Sequence, residues 1–185
     1  MPPSDPLPIL SREKANAFTQ RAQAGKTVAV DTPALEATLR GRVQGEVRFD
    51  TGSRALYATD GSSYRQVPIG VVIPRNNDDV IATLATCREF GAPVLSRGGG
   101  TSLAGQCCNT AVVLDFTKYM AEIVEIDPGR KLARVQPGVI LDHLRNSAEK
   151  HHLTFAPDPA THDRCTLGGM IGNKLPIMPP RVQRS

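Results

Sequence analysis

"PVLSRGGGTSLAGQCCN", Pro93 to Asn109, decides how this chain of 185 residues is read. Pro93, Val94 and Leu95 begin a strand that runs directly into Gly98, Gly99 and Gly100. Residues without Cβ atoms let the backbone take positive φ and approach a ligand closely, with several N–H groups pointing one way. Such a nest suits phosphate oxygens. Thr101 and Ser102 add hydroxyl donors, and Arg97 either adds charge or fixes the loop. Two familiar motifs fail here. The fingerprint G-x-G-x-x-G needs a glycine where Leu103 stands, and no helical pattern of the required length follows. Gly100 and Gly105 have the spacing of a P-loop, but Gln106 and Cys107 replace its lysine and hydroxyl, which disfavours ATP hydrolysis. Standing alone, the stretch would read as a Gly-rich turn between two strands.

Upstream, "IGVVIPRNNDDVIATLATCREFGAPVLS" supplies the rest of a strand-helix-strand unit. Ile69, Val71, Val72 and Ile73 form a β-branched run stopped by Pro74, which predicts a buried strand. Asn76 or Asn77 offers an N-cap oxygen, Asp78 and Asp79 suit the positive end of a helix, and Gly91 with Pro93 ends it. Val80, Leu84 and Cys87 recur at helical spacing as its buried face. Further upstream, Leu35, Leu39 and Val43 predict a helix starting near Pro33, and Ser11 to Ala24 allow one short helix in a Pro-rich arm. "RFDTGSRALYATDGSSYRQ" reads as loop, with Tyr57 and Tyr64 packing their rings and leaving their hydroxyls near water.

Downstream, "AVVLDF" predicts a third strand. Ile123 to Ile126 and Leu132 to Gln136 flank Asp127-Pro128-Gly129-Arg130, the pattern of a hairpin closed by a type II turn. Leu141, Leu144 and Ala148 mark one more helix face. Strands alternating with helices, followed by a hairpin, indicate an α+β domain with a mixed sheet.

Composition narrows the function. The net charge of +4 comes with nearly balanced acids, no long Lys/Arg run and no Trp, which leaves little for nucleic-acid binding. No apolar run reaches membrane-spanning length, and the start lacks the basic and apolar regions of a leader, so we expect a cytoplasmic protein. Cys87, Cys107, Cys108 and Cys165 lack paired C-x-x-C spacing and read as reduced, buried thiols. A redox-active vicinal pair, or a metal held by His162 and Cys165, is the alternative.

A second Gly-rich segment, Thr166-Leu167-Gly168-Gly169-Met170-Ile171-Gly172-Asn173, follows the Pro157-Asp158-Pro159 turn. Two such segments could clamp one extended cofactor from two sides. "VVIPRNNDDVIATL", "PVLSRGGGTSLAGQ", "VVLDFTKY", "ARVQPGVILDHL", "FAPDPAT" and "TLGGMIGN" occur in the order seen in FAD-linked oxidases with a PCMH-type (vanillyl-alcohol-oxidase-like) FAD-binding domain. From Gly45 to Asn173 the chain most resembles the glycolate oxidase, D-lactate and D-2-hydroxyglutarate dehydrogenase branch, which includes members fused to iron-sulfur domains.

The resemblance implies a non-covalently bound FAD, since related enzymes that attach flavin covalently carry a His where Gly99, Gly100 and Thr101 stand here. It implies that Arg97, Gly98, Gly99, Gly100, Thr101 and Ser102 meet the FAD pyrophosphate through backbone amides, with Pro74 nearby. It places Pro157, Asp158, Thr166, Gly168, Gly169, Ile171, Gly172 and Asn173 along the isoalloxazine and ribityl portion. Residues 1–44 are then an arm and helix, 45–173 a partial PCMH-type domain with its first α/β subdomain complete and its second truncated, and 174–185 a tail foreign to the family. The family continues past "GGMIGN" with another Asn and a Gly-containing run, whereas here "KLPIMPPRVQRS" follows, as a frameshift or truncation would leave it. The implied reaction is oxidation of a small 2-hydroxy acid to the 2-oxo acid. No catalytic residue is assigned, because the substrate-side groups belong to segments beyond this sequence. The alternatives are a non-catalytic FAD- or nucleotide-binding fragment and a phosphate-binding module unrelated to flavin. His143, His151 and His152 read as a solvated helix face, and His162 alone lies near the second Gly segment.

Overall fold

The computed structural model describes residues 29–173; the short helix expected over Ser11 to Ala24 and the tail from 174 lie outside them. Helix α1 (Thr32–Arg42) begins at the Asp31 cap, whose carboxylate accepts from the Ala34 amide, with Pro33 in its first turn. Leu35 and Leu39 are fully buried on its inner face, as their spacing predicts. Strand β1 (Glu46–Arg48) and helix α2 (Thr51–Leu56) follow. α2 falls in the stretch expected to be loop, and β1 overlaps that stretch at Arg48. Asp50 starts α2 by accepting from the Ser53 amide, an Asx cap in what composition alone presents as turn residues.

Strands β2 (Gly70–Ile73), β3 (Val94–Arg97) and β4 (Val112–Asp115) join β1 in one sheet, ordered β1-β2-β4-β3. β1 runs antiparallel to β2, while β2, β4 and β3 are mutually parallel, so the sheet is mixed as expected. Its two faces follow the period of two. Val72, Val112 and Leu114 pack with Leu35, Leu39, Phe49 and Cys87 under the helices, and Val71, Ile73 and Val113 face Tyr57, Leu95 and Tyr119. Each such side chain removed from water contributes about 2 kcal/mol.

Helix α3 (Asn77–Glu89) crosses from β2 to β3. Its buried residues are Asp79, Thr83, Thr86 and Cys87. Leu84, expected on that face, is 47% exposed and Val80 only half-buried, because the face turns toward α1 and the 44–46 turn, where polar partners are needed. Asp79 accepts from the Gln44 and Arg75 amides, and the Arg42 guanidinium reaches the Thr86 hydroxyl.

The second part of the chain has its own core. Strands β5 (Ile123–Asp127) and β6 (Leu132–Val135) form the expected antiparallel hairpin. The turn is not type II: the left-handed residue is Lys131 (φ 55°), and the Asp127 carboxylate takes the Arg130 amide. A register shift between Ile123 and Glu125 accounts for the imperfect alternation there. Helix α4 (Leu141–Glu149) and helix α5 (Leu167–Gly172) cover the hairpin, burying Val139, Leu141, Leu144, Cys165, Leu167 and Met170 together. No helix among the described residues is long and apolar enough to cross a membrane.

Candidate functional site

Parallel pairing puts the carboxyl ends of β2, β3 and β4 on one edge of the sheet, where crossover connections leave a crevice. Pro74, Gly98 and Phe116 are the first residues beyond those strands. Because β3 and β4 are parallel neighbours with no helix between them, the 98–111 connection must traverse the length of the sheet, and it begins with the glycines.

Those glycines are needed for close approach to a second segment. A Cβ on Gly98 would lie 2.0 Å from the Thr166 hydroxyl, and one on Gly99 would lie 2.3 Å from the Arg164 carbonyl. Gly100 has φ +65°, and its carbonyl accepts from the Gly61 amide. The two Gly-rich segments therefore meet, as the clamp reading requires. Thr166 is 2% exposed; it caps α5 by accepting the Gly169 amide at 3.3 Å, and its backbone bridges to Ile140.

The hydrogen-bond accounting of the loop identifies its chemistry. Among the described residues, the amides of Gly98, Gly99, Gly100, Thr101, Ser102 and Leu103 find no protein oxygen as acceptor, and that of Ser102 faces the Cys107 sulfur. Beyond them, amides are engaged: Ala104 and Gln106 with the Ser102 hydroxyl, Cys107 with Asp60 and Cys108 with the Gly105 carbonyl. Consecutive N–H groups left without oxygen acceptors form a cradle for anionic oxygens, which fits a pyrophosphate.

Arg97 takes the second of its two expected roles. Its guanidinium donates to the carbonyls of Cys107 (2.9 Å), Thr59 (2.8 Å) and Tyr57 (3.4 Å) and stacks 5.4 Å from the centre of the Tyr57 ring. The Tyr57 hydroxyl donates to Asp115 at 2.6 Å, and burial first, then this carboxylate, pushes its pKa far up. Tyr64 is 64% exposed, and its ring lies against Gly105.

A cavity of about 400 Å³ opens beside the loop, lined by Gly99, Thr117, Gly138, His143, Arg164 and Thr166 among others. Of the residues assigned to the cofactor from sequence, Gly99 and Thr166 line it. Pro157 and Ile171 instead line a separate apolar groove of about 310 Å³ with Leu132, Leu144, Phe155 and Met170. Pro157 and Asp158 are tied to α4: Arg145 donates to the Pro157 carbonyl at 2.8 Å and to the Asp158 carboxylate at 2.9 Å. Gly168 packs on Pro137, Gly169 lies beside the Thr166 hydroxyl, Gly172 faces open space and the Asn173 amide closes α5 on Gly169. Thr117 and Gly138 carried no signal of their own, and Arg164 read either as a phosphate contact or as a surface arginine. His143, read as part of a solvated face, is exposed and at the same time lines the cavity.

His162 is bound to Asp142 at 2.7 Å, and that hydrogen bond raises its pKa. Burial raises the thiol pKa at Cys107, Cys108 and Cys165, and pushes Cys87 up to about 11, so these sulfurs are poor nucleophiles and metal ligands. Among the described residues there is no group of three or more His, Cys, Asp or Glu arranged to hold a metal.

The family model described as "FAD binding domain" matches residues 68–176. D-2-hydroxyglutarate dehydrogenase of Pseudomonas putida is 38% identical over 140 residues, which are 74% of this chain and 14% of that protein. Glycolate oxidase subunit GlcD of Bacillus subtilis is 38% identical over 135 residues, 70% of this chain and 28% of that one. Among solved structures, 4-ethylphenol oxidase from Gulosibacter chungangensis superposes with TM-score 0.64 at 23% identity, over 78% of this chain and 29% of that chain. An alkyldihydroxyacetonephosphate synthase gives TM-score 0.64 at 18% identity, over 75% and 28%. These structural likenesses establish the fold, and the chain spans well under a third of the curated relatives named here. A loop of unpartnered amides at the carboxyl edge of a mixed sheet, within a sequence match covering more than half of the chain, shows that it belongs to the FAD binding domain family, with FAD as its cofactor.

Proposed function

We propose that this chain is the FAD-binding portion of a flavin-dependent oxidoreductase that converts a 2-hydroxy acid of the glycolate, D-lactate or D-2-hydroxyglutarate type to its 2-oxo acid. The run of unpartnered amides from Gly98 to Leu103 carries the reading, since it offers donors where a dinucleotide needs them. The amides of Gly98 to Ser102 hold the pyrophosphate, with Pro74 on the same sheet edge. Thr166, Gly168 and Gly169 extend the site beyond the loop, and Pro157, Asp158, Ile171, Gly172 and Asn173 border the isoalloxazine and ribityl portion. FAD supplies the two-electron acceptor when bound. The loop holds no His, so binding is non-covalent. The names of the relatives support the substrate class. Four free thiols suit a reducing compartment and support the cytoplasm as its location.

Titration of the 185-residue chain with FAD, followed by flavin fluorescence, tests the reading. Saturable binding that weakens in Gly99→Asp is expected; absence of binding by a folded chain would remove it. Dye reduction by glycolate, D-lactate or D-2-hydroxyglutarate then tests the reaction. A second reading, cofactor binding without catalysis, is favoured by the small share of each relative that this chain spans. Binding without hydroxy-acid-dependent dye reduction is its expected result.

A further inference from the structure

We propose that Arg97 and the Tyr57–Gly61 segment form a clamp that aims the amides of the glycine loop at the FAD pyrophosphate, with Arg97 acting as a positioning residue and not as a phosphate ligand. This inference rests on the FAD reading above and adds to it the groups that hold the cradle open.

The argument starts from one peptide unit. Gly61 N–H donates to the Gly100 carbonyl at 3.0 Å, which fixes the direction in which that carbonyl points. The described residues contain no cis peptide, and in a planar trans peptide the following N–H points the opposite way. The Thr101 amide is thereby aimed away from Gly61, and it is one of the six that find no protein oxygen as acceptor. Gly61 is thus on the rear of the loop and the free amide on its front.

Arg97 holds the same peptide from below. A Cβ at Gly100 would sit 2.6 Å from an Arg97 terminal nitrogen, so the guanidinium lies directly against the left-handed residue. Its hydrogen bonds go to carbonyls on both sides of the loop: Tyr57 and Thr59 before it in sequence, Cys107 after it. Asp60 completes the brace, accepting from the Cys107 amide at 3.2 Å and from the Ser62 amide at 2.9 Å. Tyr57 is itself fixed, because its hydroxyl donates to Asp115, which is 7% exposed and pairs in register with Arg97 across β3 and β4. Both terminal nitrogens of Arg97 are already engaged in this frame. Three of its five N–H groups are spent on carbonyls, which sets loop geometry and leaves Nε–H and one Nη2–H as its remaining donors.

The test compares the wild-type chain with Arg97→Met and Arg97→Lys. Far-UV circular dichroism checks folding, and each is titrated with FAD at two salt concentrations. Phosphorus NMR reports the environment of the bound pyrophosphate. Arg97→Met is expected to bind FAD about tenfold more weakly, or about 1.4 kcal/mol. Its pyrophosphate resonances should shift, Arg97→Lys should recover part of the affinity, and the salt dependence should stay as in wild type. A folded Arg97→Met with unchanged affinity and resonances would overturn the clamp while leaving the cofactor reading intact. A markedly smaller salt dependence would also overturn it, by showing a direct charge contact with phosphate. If Arg97→Met does not fold, Asp60→Asn carries the test with the same expected loss, and unchanged binding in that variant counts against the proposal. Failure of the wild-type chain to bind FAD is a different result: it rejects the cofactor reading and this inference with it.

Discussion

Gly98 and Gly99 look alike in sequence but face different obstacles. Gly98 abuts a side-chain hydroxyl, that of Thr166, whereas Gly99 abuts the backbone carbonyl of Arg164. A side chain can turn aside; a carbonyl in a bonded segment cannot. Gly99→Ala should therefore cost about 1–3 kcal/mol in urea unfolding by forcing the two Gly-rich segments apart. Gly98→Ala combined with Thr166→Ser should cost less, and equal losses would mean that the segments do not touch as described. His162 offers a pH test on the same side of the molecule. Its hydrogen bond to Asp142 raises its pKa above the ordinary 6.5. A raised folded-state pKa contributes stability that is fully present below the unfolded value and is lost as pH rises through the folded one. His162→Gln should accordingly be less stable than wild type at pH 5.5 and converge with it by pH 9. A stability difference independent of pH would show that the pair does not titrate.

At the scale of elements, apolar runs and capping residues were legible in the sequence, while polar faces were not. β2, β3, β4, the hairpin and helices α1, α3 and α4 all follow from apolar runs, periodicity and turn residues. α3 shows where that reasoning stops. Its inner face carries Asp79, Thr83 and Thr86, which no hydrophobic pattern selects, since their partners are the 44–46 turn and Arg42, distant in sequence. Asp79 holds two amides from separate segments and is 2% exposed. Asp79→Ala would leave both amides without an acceptor, and a loss of about 3 kcal/mol in denaturant unfolding is expected. Asp79→Asn keeps one acceptor oxygen and should lose roughly half as much. Similar small losses in both variants would place those amides in contact with water. β1 and α2 escaped notice for the related reason that short elements rich in Asp, Thr, Gly and Ser have the composition of turns.

The described residues form three hydrophobic clusters, two on the faces of the four-stranded sheet and one around the hairpin, and the Gly-rich segments meet between the sheet and the hairpin cluster. The contact between those segments was foreseeable as a pairing of motifs; the cavity wall from Thr117 and Gly138 was not, since it arises only when the clusters pack. The hairpin cluster is the weaker half. Leu132, Val124 and Ile171 are 54%, 52% and 66% exposed, and a two-stranded sheet gains little from its own hydrogen bonds. Hydrogen exchange in the free chain should then be slow in β2 and β4 and faster in β5 and β6. FAD held by both segments would couple the halves. At a hundredfold excess over its dissociation constant it should stabilise the chain by about 2.7 kcal/mol. Protection should rise at 98–103 and also at 166–170 and along the hairpin. Protection confined to the glycine loop would mean that the cofactor is gripped by the first cluster alone, and that the contact between Gly98 and Thr166 serves packing and not a shared site.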